Sequence, residues 1–340
     1  MTARPLIVIP GDDPPQCQGS HHLERLAKFG EVKLYDNRPS SSEEQIERAR
    51  DATAIINSRG QIHWTSEILR NLPKLKMITV CGIGTDAIDL KEARARGIVV
   101  SNVPGKTAPL VAEHALGLLM AVAKRATFQT TAMREGRWAS VDGVFLRGKT
   151  LGVIGTGNIG AEMIRLGKAI GMNVIAWTFH PTQERAETLG VEYVDLDYLL
   201  SRSDVVSLHV QQTPETHHMI GEREFGIMKS TAILINTSRG PVVDEPALVK
   251  ALQNALIGGA GLDVFETEPL PIDSPLRDLG DNVLLSPHMS SHNFGAGLTP
   301  GITWGTADIL HALRGEDPEH VYNPEALPQW RERFAGRPLI

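Results

Sequence analysis

Thr150-Leu-Gly-Val-Ile154 is a short apolar run, Gly155-Thr-Gly157-Asn-Ile-Gly160 follows it without a gap, and residues 161–170 (AEMIRLGKAI) have helix composition. Three glycines at that spacing, between a strand and a helix, are what a dinucleotide-binding turn demands. Gly155 permits the tight turn, Gly157 lets a pyrophosphate approach the backbone, and Gly160 lets the helix pack close to the strand. The amides of Asn158 and Ile159 then point at the phosphates, aided by the helix dipole. A glycine-rich turn without a ligand is the competing reading, and the flanking strand and helix weigh against it.

The rest of the chain repeats the same alternation. Residues 5–9 (PLIVI), 31–35 (EVKLY), 52–57 (ATAIIN), 76–80 (KMITV) and 97–100 read as strands, with helices over 21–29, 43–50, 66–72 and 90–96. The turn signal Asn102-Val-Pro-Gly105 precedes a long helix over 109–135. A second series of strands lies near 151–154, 173–177, 204–208, 232–236, 259–262 and 283–285, and a last helix spans 301–313. Strands alternating with helices predict an α/β fold: parallel sheets flanked by helices. A length of 340 residues fits two domains. The residues after 313 are too few for a core of their own and are expected to return to the first block.

Composition removes several classes. Net charge is −6 and no basic block stands out, which argues against nucleic acid as a partner. No apolar run approaches the roughly 18–20 residues that span a bilayer, so no membrane role is expected. The N-terminal MTARPLIVIPGDD reads as a first strand rather than a signal peptide. Cys17 and Cys81 are the only cysteines and form no CxxC pair, which argues against a disulfide scaffold or structural zinc and fits the cytoplasm. The histidine pairs His21-His22 and His217-His218 lack a ligand pattern, so no metal is expected.

The strand after the glycine turn should end in a carboxylate that binds the adenosine ribose, yet Asn173-Val-Ile-Ala-Trp177 is followed by Thr178. Thr178 can hydrogen-bond the ribose of NAD. The missing carboxylate also relaxes discrimination against NADP, whose phosphate His180 or Arg185 could contact. NAD is the expected cofactor, with NADP left open.

Three further segments carry polar residues just past apolar strands: Ile235-Asn-Thr-Ser-Arg239-Gly240, Gly261-Leu-Asp263-Val-Phe-Glu266-Thr-Glu268-Pro269 and Leu285-Ser-Pro-His288. Ligands bind at the carboxyl ends of parallel strands, so Arg239, Glu268 and His288 can converge on one site. Their chemistry suits reduction of a 2-keto acid. Arg239 offers a planar fork for carboxylate and carbonyl oxygens. A histidine exchanges a proton near neutral pH, and Glu268 would favour its imidazolium and fix its tautomer. A surface Arg–Glu pair beside a loop histidine is the competing reading.

Taken with Leu208-His209, Thr213-Pro-Glu-Thr216 and Pro287-His288, these motifs resemble the D-isomer-specific 2-hydroxyacid dehydrogenases over nearly the whole chain. The resemblance implies two Rossmann-like domains with a cleft between them. A discontinuous, flavodoxin-like substrate (catalytic) domain would comprise 1–103 and 315–340. An NAD(P)-binding Rossmann domain would comprise 104–314, including both linking helices, and a homodimer would form around it. It implies Arg239, Glu268 and His288 as catalytic residues, with Arg239 also holding the substrate. Gly155, Gly157, Asn158, Ile159, Gly160, Thr178, His209, Thr213, Thr237, Asp263 and Thr107 would line the cofactor. Asp263 would bind the nicotinamide amide, and its competing reading is a turn or cap residue. Helix capping explains Thr107 equally well. In Cys81-Gly-Ile-Gly84-Thr-Asp86 the amides of Ile83 and Gly84 would hold the substrate carboxylate, and Arg59 is a further candidate contact. Cys81 reads as a packed residue rather than a reactive thiol.

Two departures bear on substrate identity. Gln211-Gln212 follows His209, and Met289-Ser-Ser-His292 follows His288 where the family has other residues. The expected activity is hydride transfer between a nicotinamide cofactor and a small D-2-hydroxy acid or 2-keto acid, glyoxylate or hydroxypyruvate in type. A non-catalytic NAD(H)-sensing scaffold on the same fold is the alternative. An adenosylhomocysteine-type hydrolase is a third reading, for which the chain is short.

Overall fold

In the computed structural model, which describes residues 4–13, 15–58, 62–291, 299–334 and 336–340, the strands form two parallel sheets. The chain divides into two units, Met1–Thr107 with Asn293–Ile340, and Ala108–His292.

The first unit holds β1 (Leu6–Ile9), β2 (Glu31–Leu34), β3 (Ala54–Asn57), β4 (Met77–Val80) and β5 (Val99–Ser101) in the order β2-β1-β3-β4-β5. That order is flavodoxin-like. Helices α1 (His21–Ala27), α2 (Ser42–Ala49), α3 (Ser66–Arg70) and α4 (Leu90–Ala95) connect the strands. The central strands are apolar throughout because helices cover both faces, and Ile7, Val8, Ile55, Ile56, Met77 and Ile78 are fully buried. The edge strand β2, EVKL, is the one that alternates. Ser41, Thr65 and Asp89 start their helices by accepting from the amides of Glu44, Ile68 and Glu92.

In the second unit, seven strands follow the order β12-β11-β10-β9-β6-β7-β8. They are β6 (Thr150–Ile154), β7 (Asn173–Trp177), β8 (Glu192–Tyr193), β9 (Val205–Leu208), β10 (Ile233–Asn236), β11 (Gly259–Leu262) and β12 (Val283–Leu285). Helices α5 (Ala108–Ala123), α6 (Ala126–Arg134) and α7 (Asn158–Ala169) belong to it, as do α8 (Gln183–Leu189), α9 (Leu196–Arg202), α10 (Glu222–Ile227) and α11 (Glu245–Gln253). Alternate residues of the strands feed two cores. Leu118, Leu119, Leu151, Met163 and Ile235 fill one, and Leu199, Leu208, Phe225, Leu234 and Leu248 fill the other. Each such side chain contributes about 1.5–3 kcal/mol on burial.

Two sequence expectations are corrected. The helix over 109–135 is two helices, α5 and α6, because Arg125 adopts the left-handed conformation at φ 53° and breaks the hydrogen-bond ladder. The helix near 301–313, assigned to the second domain, is α12 (Thr299–Leu313) and packs in the first unit with α13 (Leu327–Phe334). Ile302, Ile309, Leu310 and Leu313 join Ile7, Ile56 and Met77 in one core. Small residues explain the choice of sheet: a Cβ on Gly301 would lie 2.6 Å from Cys81 O, and one on Gly305 2.6 Å from Thr79 Oγ1. The tail does return to this unit. Val321 bridges Ser101, Asn323 Oδ1 accepts from Val100 N at 2.8 Å, and Trp330 is fully buried.

Candidate active site

The register of the second sheet lines up the predicted residues. Trp177 pairs with Ile154, Ile154 with Leu208, Leu208 with Asn236, Asn236 with Leu262, and Leu262 with Leu285. The residues one step further, Thr178, Gly155, His209, Thr237, Asp263 and Ser286, therefore form one row along the carboxyl edge. With strands about 4.8 Å apart the row is about 24 Å long. The strand order reverses between β6 and β9, which is where a dinucleotide binds in such a sheet.

The glycine turn has the form that a pyrophosphate requires. Gly155 sits at φ 92°, a conformation open to glycine, and its amide donates to Trp177 O at 2.8 Å. A Cβ on Gly160 would lie 1.9 Å from Gly155 O, so the start of α7 rests on the turn itself. A Cβ on Gly157 would meet nothing within 4 Å, so the turn is open on the ligand side. α7 begins at Asn158 without a side-chain cap, leaving its first amides, Asn158 and Ile159 among them, directed at this opening. Beside it lie two buried polar atoms without a protein partner, His209 Nδ1 and Thr237 Oγ1. The other ring nitrogen of His209 meets Ser207 Oγ at 2.9 Å, and burial pulls its pKa down to about 3, so the ring is neutral. These residues fit a dinucleotide.

At the far end of the row, Thr178 lines a cavity of about 540 Å³ with Trp177, Tyr193 and Tyr198. Arg185 reaches back to Thr156 O in the glycine turn, donating through Nε at 3.0 Å and through Nη2. His180 is exposed. Thr213 lies in a turn wound around Thr216, whose Oγ1 accepts from Thr213 N at 2.8 Å.

The catalytic candidates stand on three neighbouring strands. After β10, Asn236 Oδ1 accepts from Ser238 N at 3.0 Å and Asn236 Nδ2 donates to Arg239 O at 3.0 Å, which bends the chain and turns Arg239 out of the strand. The half-buried guanidinium donates from Nη1 to Ser238 O at 2.7 Å. A Cβ on Gly240 would lie 1.9 Å from the backbone of Phe265, so this turn is seated on the segment that carries Glu268. Glu268 Oε1 accepts from Phe265 N at 3.1 Å, and Oε2 meets His288 Nδ1 at 2.7 Å. With Nδ1 held, His288 presents Nε2 for exchange of a proton. His218 braces the same segment, with Nε2 2.7 Å from Glu266 Oε1.

His288 itself is in the left-handed conformation at φ 53°, which costs about 1 kcal/mol for a residue with a Cβ. Asp263 holds it there. The backbone carbonyl of Asp263 accepts from His288 N at 2.8 Å. Its Oδ1 accepts from Met289 N at 2.8 Å and Ser286 Oγ at 2.5 Å, and its Oδ2 from Ser290 N at 2.9 Å. Asp263 is fully buried; burial alone would raise its pKa, yet His114, Ser286 and the amides of Met289 and Ser290 hold the carboxyl below the usual range. The structure thus places Asp263 beneath the His288 loop, a position that the sequence reading did not anticipate.

The sequence reading also missed His114 and Ser286. Ser286 gives its one proton to Asp263, so at 3.0 Å it accepts from His114 Nε2–H, which assigns the tautomer of His114. The signal available was a histidine within an otherwise apolar helix, VAEHALGLLMA.

In the first unit, Asn102 Nδ2 donates to Ile83 O at 2.7 Å and Val103 N to Gly82 O at 3.1 Å, which sets the Cys81–Asp86 loop containing Ile83 and Gly84. Cys81 is buried, as a packed thiol. Thr107 is buried immediately before α5. Arg59 and His292 lie outside the described residues. Among the described residues no cluster of His, Cys, Asp and Glu is arranged to hold a metal, and no helix is long and apolar enough to cross a membrane.

Residues 116–290 match the family D-isomer specific 2-hydroxyacid dehydrogenase, NAD binding domain. The chain is 40% identical over 314 residues to a glyoxylate reductase of Korarchaeum cryptofilum, covering 90% of this chain and 93% of that one. It is 43% identical over 252 residues to a hydroxypyruvate reductase of Thermotoga maritima, covering 73% and 81%. Among solved structures it is similar to an NADPH-dependent glyoxylate/hydroxypyruvate reductase of Sinorhizobium meliloti in complex with NADP and malonate. The TM-score there is 0.82 at 29% identity, over 94% of this chain and 98% of that one. These relatives support an enzyme and lend nothing to a non-catalytic scaffold. A dinucleotide turn at one end of a strand row, a histidine–carboxylate pair at the other and relatives of this kind have one explanation: the chain belongs to the D-isomer-specific 2-hydroxyacid dehydrogenases, oxidoreductases that use NAD(P) to move a hydride to or from C2 of a 2-hydroxy or 2-keto acid.

Proposed function

We propose that the chain reduces small 2-keto acids of the glyoxylate and hydroxypyruvate type to the D-2-hydroxy acids. The contact that carries this reading is His288 Nδ1 to Glu268 Oε2 at 2.7 Å, on a segment seated against the turn that bears Arg239. Arg239 binds the substrate through its carboxylate and carbonyl oxygens. His288 Nε2 delivers the proton to the carbonyl oxygen as C2 is reduced, and Glu268 holds the ring in place. The bound dinucleotide supplies the hydride. Gly155, Gly157, Gly160 and the amides of Asn158 and Ile159 cradle its pyrophosphate, Thr178 and Thr213 serve its adenosine half, and His209, Thr237 and Thr107 serve the remainder. Asp263 positions the His288 loop, and the amides of Ile83 and Gly84 serve the substrate carboxylate. Thr178 in place of a carboxylate and Arg185 at the turn support use of NADP as well as NAD.

Initial rates with glyoxylate, hydroxypyruvate, pyruvate and bulkier keto acids, each with NADH and NADPH, test the reading. Turnover of the two small substrates that is abolished in His288→Ala is expected; a folded, cofactor-binding protein that turns over none of them overturns it. Further support bears on the setting. Met133, Trp138 and Phe145 are exposed by 56, 89 and 71% on one stretch of the second unit, an apolar surface that a second copy would cover to make a homodimer. Light scattering on the eluted protein decides it. Both cysteines are unpaired thiols, which fits the cytoplasm.

A further inference from the structure

The amino end of the first sheet gathers four cations. Lys76 extends β4 by one residue: its carbonyl accepts from Val99 N at 3.0 Å and its amide donates to Thr53 O at 2.9 Å. The residue is buried, with 5% of its surface exposed. Arg96 ends α4 just before β5, which pairs with β4, and its Nε is buried without a partner. The last helix packs on this turn. Gln329 Nε2 donates to Ala95 O at 2.7 Å, and a Cβ on Gly97 would lie 3.1 Å from Trp330 N. One turn further on, α13 brings Arg333 and Phe334 to the same place. Lys76 Nζ lies 3.9 Å from the Phe334 ring centroid and Arg333 Cζ 4.5 Å from it. Arg337 Nη1 donates to Arg333 O at 3.0 Å.

Among the described residues none of the four forms an ion pair, although lysines and arginines elsewhere in this unit do. The consequence is seen in their ionisation. Burial, with Arg333 and Arg337 alongside, brings Lys76 down to about 8, and burial with Arg96 alongside lowers Arg333. A largely buried lysine whose charged neighbours are Arg333 and Arg337, and whose ammonium lies over one aromatic ring, is costly to keep charged, and a bound anion would offset that cost.

We infer that Lys76, Arg96, Arg333 and Arg337 form a binding site for a phosphate-class oxyanion. Guanidinium forks suit the paired oxygens of a phosphate, and the lysine supplies a point charge beneath them. The site lies at the opposite end of the four-residue β4 from the Cys81–Asp86 loop, so its occupant does not compete for the residues assigned to the substrate carboxylate.

Calorimetric titration of inorganic phosphate, and separately pyrophosphate, into protein saturated with reduced cofactor tests this at constant ionic strength set with chloride. Cofactor saturation keeps the probes off the glycine turn. Saturable one-to-one binding is expected, tighter for pyrophosphate. Arg333→Gln should weaken it about tenfold or more, the weight of one charge-assisted hydrogen bond, whereas Arg165→Gln on the second unit should leave it unchanged. Lys76→Met should weaken it similarly; where that variant does not fold, Arg96→Gln serves in its place. Heat that disappears at matched ionic strength, or affinity equal in native and Arg333→Gln protein, overturns the site.

Discussion

Replacing Asp263 by Asn isolates what holds His288 in its left-handed conformation. The carboxylate accepts from Ser286 Oγ and Met289 N on Oδ1 and from Ser290 N on Oδ2. An asparagine has one acceptor oxygen. Its best orientation keeps that oxygen toward Ser286 and Met289 and sets its NH2 against Ser290 N, donor against donor. One charge-assisted bond of about 1.5–3 kcal/mol is lost, and two others fall to the strength of neutral bonds. The sum is about 3–5 kcal/mol against the loop. The strain at His288, about 1 kcal/mol, adds to the drive to relax. At about 1.4 kcal/mol per decade, kcat should fall by roughly 10²- to 10⁴-fold. Initial rates of glyoxylate reduction measure this, and urea unfolding measures the stability. The cofactor KM separates the two roles considered for Asp263. A loop-holding residue lowers kcat and spares that KM, whereas a nicotinamide ligand raises it. A variant with native kcat and an unfolding free energy unchanged within about 0.5 kcal/mol would refute the reasoning.

Other outcomes follow from the same geometry. Gly240→Ala puts a Cβ 1.9 Å from the Phe265 backbone and must separate the Arg239 turn from the Glu268 segment; substrate KM should rise at least tenfold and kcat fall, read from saturation curves. Glu268→Gln should lower kcat about 10²-fold while leaving cofactor affinity, followed by fluorescence titration, near native. Thr178→Asp restores the carboxylate that repels a ribose phosphate and should shift the ratio of kcat/KM toward NADH by at least tenfold. His209 is held neutral down to about pH 3, so between about pH 6.5 and 3 the unfolded chain binds a proton that the native one does not. Stability is therefore unaffected above this window and falls as pH drops through it, by about 2 kcal/mol from pH 7 to pH 5. Denaturation of His209→Gln at the two pH values should show that much less loss, and an equal loss would count against the buried, neutral ring.

What could be read in the sequence and what could not divide along a physical line. The glycine turn was legible because its requirement is local: Gly155 needs a positive φ, and Gly160 has no room for a Cβ beside Gly155 O, whatever the remainder of the fold does. The placement of Arg239, Glu268 and His288 beyond neighbouring strand ends was legible because parallel strands point one way, so residues just past three strand ends share an edge. The residues that were missed depend on packing between elements distant in sequence. His114 acquires its hydrogen bond only because α5 crosses the sheet beside Ser286, a contact spanning 172 positions. Asp263 could be singled out as a candidate, yet its place under the His288 loop follows from three donors that lie 23 to 27 residues further on. The assignment of α12 failed for a similar reason. Its apolar face suits either sheet, and the choice rests on Gly301 and Gly305 fitting against Cys81 and Thr79. In a sequence two helix glycines carry no preference between sheets, and close approach becomes visible only when the opposing backbone is in place.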